Sequence, residues 1–143
     1  MMQLKQVLKS KQGQPVTLPE TATVATAIQT MSQHRVGSVM MQADSGEPIG
    51  ILTERDILRL CAEGKTQFDA LLVKDCMTTE ITSANPGDTV SDALTTMTAK
   101  RFRHMPVVED GKMVGVVSIG DLVKAKLEET AIEAQALRDY ITT

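Results

Sequence analysis

Apolar positions follow two rhythms along the chain, and the same succession of rhythms occurs twice. Pro15-Val16-Thr17-Leu18 reads as a short extended piece. Val24, Ala27, Ile28 and Met31 then keep the i, i+3, i+4, i+7 spacing of a helix with one face against a core. Thr23 is placed to cap it. Ser38–Ala43 and Pro48–Leu52 form a hairpin around a turn that carries Asp44-Ser45-Gly46, and a second helix starts at Thr53. The order then returns. Glu80-Ile81-Thr82-Ser83 is extended, and Val90, Ala93, Leu94 and Met97 mark a helix capped by Thr89 or Ser91. His104–Glu109 and Met113–Val117 flank Asp110-Gly111, and a helix starts at Ser118. Each copy is β-α-β-β-α. From Leu122 to Ile141 the chain reads as one long helix, with Leu127, Ala131, Ala134, Leu137 and Ile141 near one side. That helix docks on its own subunit, covers a partner subunit or binds a client protein.

The copies are related residue by residue. An offset of 66 lays Thr23–Arg35 on Thr89–Arg101, with Thr23/Thr89, Val24/Val90, Ala27/Ala93, Thr30/Thr96, Met31/Met97 and Arg35/Arg101 identical. An offset of 65 lays Ile49–Arg59 on Val114–Lys124, matching Gly50 to Gly115 and Asp56 to Asp121. The lost residue falls in the hairpin turn, where repeats tolerate length differences. The expected divisions are 1–14 as an N-terminal helix or extension, 15–72 and 73–127 as the two repeats, and 128–143 as a helical tail. A unit of about 60 residues has difficulty burying enough surface alone. The expected fold is therefore α/β (α+β), two repeats packed sheet to sheet as a pseudo-twofold pair that shares a core.

Composition narrows the possible partners. The 143 residues contain no Trp, one Tyr and two Phe against nine Met. The core must be aliphatic, with Met31, Met40, Met41, Met97 and Met105 mostly as filler. Nucleic-acid modules that stack bases on aromatic platforms are excluded, and a net charge of -3 gives no general pull on a polyanion. No apolar run approaches a membrane span of about 20 residues. The N-terminus alternates Leu4, Val7 and Leu8 with lysines rather than forming a signal sequence, so a cytoplasmic address is expected. Cys61 and Cys76 have neither a metal-ligand spacing nor a Cys/His cluster, and both read as small core residues. His34 ends a helix and has no nucleophile or acid spaced to work with it. Neither a catalytic group nor a metal site is expected.

The chemistry lies where a strand turns into a helix. Thr53-Glu54-Arg55-Asp56 and Ser118-Ile119-Gly120-Asp121 both place a hydroxyl and a carboxylate at a helix start. Free N–H groups there favour an anion, and the carboxylate can accept from both hydroxyls of a ribose. The same spacing is also a capping box, which supports the helix with or without a ligand. The two roles are compatible.

The order of motifs resembles the cystathionine β-synthase (CBS) domain in tandem, the Bateman module, over Val16 to Leu127. It is carried by Thr-Val-x-x-Ala-(Ile/Leu)-x-x-Met and Gly-(Ile/Val)-(Leu/Val)-(Thr/Ser)-x-x-Asp in both copies. Arg103-His104-Met105-Pro106-Val107-Val108 and the linker Val73-Lys74-Asp75-Cys76-Met77 add to it. The resemblance implies a non-catalytic regulatory module for signal transduction or energy sensing. It binds an adenosyl compound: AMP, ADP or ATP first, NAD(H) or S-adenosylmethionine as alternatives. A structural adaptor with vestigial clefts is the other alternative. The flanking segments are too short for a catalytic domain. The implied assembly is a homodimer, a disc of four repeats, that passes ligand state to a client protein.

The resemblance also implies shared clefts. The favoured one combines Ser118, Asp121, Arg103, His104, Met105 and Pro106 with Val16, Thr17 and Leu18, where Arg103 and His104 reach phosphate. The second combines Thr53, Asp56, Arg55 and Val39 with Ile81, Thr82 and Ser83. There Gly37 and Ser38 stand where the other copy has the basic pair, which weakens phosphate binding.

Overall fold

The computed structural model describes residues 1–11 and 15–142. The end of the expected N-terminal extension, residues 12–14, and residue 143 lie outside the described residues. The chain is mixed α/β. Its elements run α1 (Leu4–Ser10), β1 (Thr17–Leu18), α2 (Val24–His34), β2 (Ser38–Gln42), β3 (Pro48–Thr53), α3 (Glu54–Ala62), α4 (Val90–Lys100), β4 (His104–Glu109), β5 (Lys112–Ser118) and α5 (Ile119–Thr142). Two compact units result. One takes Gln14–Thr82 with Asp110–Met113; the other takes Met1–Gly13, Ser83–Glu109 and Val114–Thr143. They are called the first-repeat and second-repeat units below.

In the first-repeat unit, β1 runs parallel to β2, pairing Thr17 with Met40 and Leu18 with Met41. β2 runs antiparallel to β3, with Met40 opposite Ile51. Val24, Ala27 and Met31 from α2 bury against Val39, Met41 and Leu52, together with Leu60 and Val73. In the second-repeat unit, β4 and β5 form a two-stranded sheet. Val90, Ala93 and Met97 pack with Met105, Val107, Val117 and Leu122, and Leu4 and Val7 of α1 join the same core. All five methionines assigned to the core are buried.

The two central helices begin and end alike. Thr23 Oγ1 accepts from the N–H of Thr26, and Thr89 Oγ1 from that of Asp92, so Thr89 rather than Ser91 is the second cap. The identical Arg35 and Arg101 end the helices at φ 54° and 59°, in the left-handed region. The following N–H groups, of Val36 and Phe102, return to the carbonyls of Met31 and Met97.

Two expectations need correction. The second copy has no opening strand: Ala84 alone bridges Val107 in parallel. Asp88 captures the next N–H, on Asn85, and Pro86 has none to give, so the ladder stops after one residue. Cys61 is exposed and Cys76 half-buried, so Cys61 is not a core residue. The inward face of α3 carries Asp56 and Leu60, and Cys61 lies about 100° around the helix from Leu60. Of the roles left open for the long helix, the start of α5 docks on its own unit through Leu122, Ala125 and Glu129, while Leu127, Leu137 and Ile141 of the apolar stripe are exposed. Positions 130–142 are exposed on every side.

Candidate functional site

Both strand-to-helix junctions form a reciprocal capping box. In the first-repeat unit, Asp56 Oδ2 accepts from Thr53 N–H at 2.9 Å, and Thr53 Oγ1 accepts from Asp56 N–H at 3.2 Å. In the second-repeat unit, Asp121 Oδ2 accepts from Ser118 N–H at 2.9 Å, and Ser118 Oγ accepts from Asp121 N–H at 3.0 Å. Each box directs a hydroxyl and a carboxylate toward the first turn of a helix, where unpaired N–H groups concentrate.

The boxes differ in what remains free. Asp56 is 4% exposed. Its Oδ1 accepts from Arg59 Nη2 at 3.0 Å and from Thr78 Oγ1 at 3.5 Å, so both oxygens are engaged within the unit. The Asp121 side chain retains 26% of its surface against 6% for Asp56. Its Oδ2 also accepts from Lys11 Nζ at 2.7 Å, and its Oδ1 has no hydrogen bond among the described residues.

The surroundings differ in charge as well. The N–H of Glu54 donates to the Gly37 carbonyl at 3.0 Å, and the aligned N–H of Ile119 donates to the Arg103 carbonyl at 2.9 Å. One backbone bond thus sets the entering strand against the helix start in both units. In the first, the Glu54 carboxyl lies against Gly37, so an acid covers the position aligned with Arg103. In the second, Ile119 is apolar and Arg103 is exposed. The second junction is cationic and the first is not.

His104 is half-buried beside Arg103. Burial holds its imidazole pKa below the ordinary value, and Lys11 and Arg103 push the same way against Asp121. Burial pushes the Asp121 carboxyl up, but the bonds from Lys11 and Ser118 outweigh it and hold the pKa below the usual carboxylate range. Asp121 is thus an anion within a group of three basic side chains.

The remaining expected residues fall as follows. Met105, Pro106 and Val39 are buried; Pro106 has no N–H, and its carbonyl already accepts from the Ala84 N–H at 3.0 Å. Arg55 is exposed on the first turn of α3. Val16, Thr17 and Leu18 are half-buried, with Thr17 and Leu18 in β1. Ile81 and Thr82 are half-buried and Ser83 is exposed, outside any strand. An open groove of about 520 Å³ in the first-repeat unit is lined by Ile28, Met31, Arg35, Gly37, Glu54 and Ile57, and by none of the expected ligand residues.

Lys11, Arg59 and Thr78 were not anticipated from the sequence. Arg59 follows Asp56 by one helical turn, a legible spacing. Lys11 and Thr78 reach their carboxylates through tertiary structure, which no local pattern signals.

Among the described residues, no group of His, Cys, Asp and Glu side chains is placed to hold a metal ion. Burial, then the charge of Asp75, pushes the Cys76 thiol up, away from the thiolate that a nucleophile needs. No helix of the described residues is long and apolar enough to cross a membrane.

Comparison with known proteins agrees with this repeated architecture. The CBS domain family model matches residues 5–63 and 73–128. The CBS domain-containing protein CBSX3, mitochondrial, of Arabidopsis thaliana is 38% identical over 138 residues, covering 93% of this chain and 66% of that one. The chain spans less than two thirds of the length of the first curated relatives it matches. Among solved structures, a CBS-domain protein of Agrobacterium tumefaciens superposes with a TM-score of 0.80 at 32% identity, covering 87% of this chain and 99% of that one. A CBS domain protein of Pyrobaculum aerophilum, solved in complex with AMP, superposes with a TM-score of 0.78 at 31% identity, covering 92% and 99%. With two matched repeats across most of its length, the chain belongs to the CBS domain family.

Proposed function

We propose that this chain is a non-catalytic regulatory module that binds an adenosine-containing nucleotide, AMP, ADP or ATP, at the junction of β5 and α5. The observation that carries the reading is the open oxygen of Asp121 beside Ser118, Arg103, His104 and Lys11. A carboxylate with a free lone-pair edge suits the two hydroxyls of a ribose, and the adjacent cations suit a phosphate. The AMP complex of the Pyrobaculum aerophilum relative supports the same ligand class.

The satisfied carboxylate of Asp56 and the acid beside Gly37 favour a narrower role for the first junction. There Thr53 and Asp56 act as a helix cap. The reading includes a cytoplasmic address, in keeping with the free thiols at Cys61 and Cys76. It also includes a homodimer that passes ligand state to a client protein. The exposed stripe of Leu127, Leu137 and Ile141 supplies a surface for either contact.

Calorimetry and thermal shift against AMP, ADP, ATP, NAD(H) and S-adenosylmethionine test the reading. A nucleotide at 100 times its dissociation constant adds about 2.7 kcal/mol of stability. No shift with any of them at millimolar concentration overturns it.

A further inference from the structure

Lys11 is the capping residue of α1 and lies 110 positions from Asp121 in sequence. Its ammonium donates to Asp121 Oδ2 at 2.7 Å and to the Val116 carbonyl at 2.8 Å. This placement is built into the unit. Leu4 and Val7 anchor α1 in the core, and the Leu8 side chain occupies the space that a Cβ on Gly115 would need. One turn after Leu8, the lysine side chain comes down on β5 and the start of α5. The pair is half-exposed, at 39% for Lys11 and 26% for Asp121, so either group can find another partner without crossing the core.

An ammonium on the ribose carboxylate has a consequence for selectivity. A ligand that engages Asp121 competes with Lys11. A nucleoside without phosphate displaces the ammonium and offers it no anion in return. S-adenosylmethionine carries its own sulfonium charge into a cluster that already holds Lys11 and Arg103. A nucleotide offers a phosphate, the strongest replacement partner for a displaced ammonium.

We propose that Lys11 is the charge-selectivity residue of this site: it holds Asp121 when the site is empty and exchanges that carboxylate for the phosphate of an entering nucleotide. The inference rests on the assignment of Asp121 to the ribose. It goes further by naming what makes the site choose nucleotides over nucleosides and sulfonium compounds.

The test uses the full chain and the variants Lys11→Met and Lys11→Arg, with folding checked by circular dichroism. AMP, adenosine and S-adenosylmethionine are titrated by calorimetry. Lys11→Met is expected to weaken AMP about tenfold and to tighten adenosine, while Lys11→Arg keeps the preference for AMP. Shifts in the same direction for AMP and adenosine, or none, overturn the exchange. A ligand-free arm follows the Asp121 carboxyl by NMR titration. Its pKa rises in Lys11→Met if Lys11 holds it, and an unchanged titration overturns the first half of the proposal. Failure of the unmodified chain to bind any of the three, with a normal rise of Asp121 in Lys11→Met, sinks the ribose assignment while leaving the ion pair in place.

Discussion

The N–H of Ile119 donates to the carbonyl of Arg103 at 2.9 Å, so the first turn of α5 and the residue that enters β4 are fixed to each other. The Arg103 backbone is therefore held next to the Ser118–Asp121 junction, and its exposed side chain extends from there. Arg103→Ala is expected to lower AMP affinity by about tenfold, the loss of one charge-assisted phosphate contact. Adenosine affinity stays within about twofold, since no phosphate is involved. Calorimetry with both ligands checks this, and equal losses would exclude a phosphate role for Arg103.

The two aligned carboxylates should fail in opposite ways. Asp56→Ala leaves the Thr53 N–H, Arg59 and Thr78 without their shared acceptor in a buried place. It is expected to cost about 1–3 kcal/mol of stability and to spare nucleotide binding at Asp121. Asp121→Ala removes a half-exposed cap and is expected to cost about 1 kcal/mol while abolishing ribose-dependent binding. Chemical denaturation and calorimetry on the same two variants separate the effects.

Stability should decline in acid in two stages. The folded His104 resists protonation because of burial, Lys11 and Arg103. The unfolded chain takes that proton near the ordinary imidazole value of about 6.5. Below that pH the unfolded state binds more protons, so stability falls as pH drops toward the lowered folded value, and this group contributes no slope above it. Asp121 adds a loss of the same sign that starts below the ordinary carboxyl value of about 3.9 and runs down to its depressed folded pKa. Melting temperatures from about pH 8 to about pH 3 should show the first decline, and His104→Gln should remove it.

Gly115 and Gly50 occupy aligned positions, and each is covered by an apolar side chain, Leu8 and Met77 respectively. Gly115→Ala forces Leu8 out of its seat on β5, at a cost of about 1–3 kcal/mol. Adding Leu8→Ala removes the collision, so the glycine substitution costs less in that background than alone. Strict additivity of the two in denaturant melts would show that Leu8 yields without strain.

Much of this structure was legible because repetition doubled every local signal. The spacing around Met31 and Met97, the caps at Thr23 and Thr89, and the junctions at Thr53 and Ser118 each had a second copy to agree with. What escaped reading was tertiary. A two-residue pattern announces a capping box at Asp121, but nothing near Lys11 announces an ammonium on it. Nor does the matching Asp in both copies reveal that one is closed by Arg59 and Thr78 and the other is open. The stripe on α5 was legible as apolar but not as outward-facing, because periodicity names a face without saying what lies opposite.

The length of α5 gives the junction mechanical leverage. From Asp121 to Thr142 the helix runs about 32 Å at 1.5 Å per residue, and positions 130–142 are all exposed. A rigid rod pivoted at one end converts angle into travel. A tilt of about 5° at the first turn moves the far tip by about 3 Å. The proposed nucleotide junction and the exposed Leu137 and Ile141 thus lie toward the two ends of one lever.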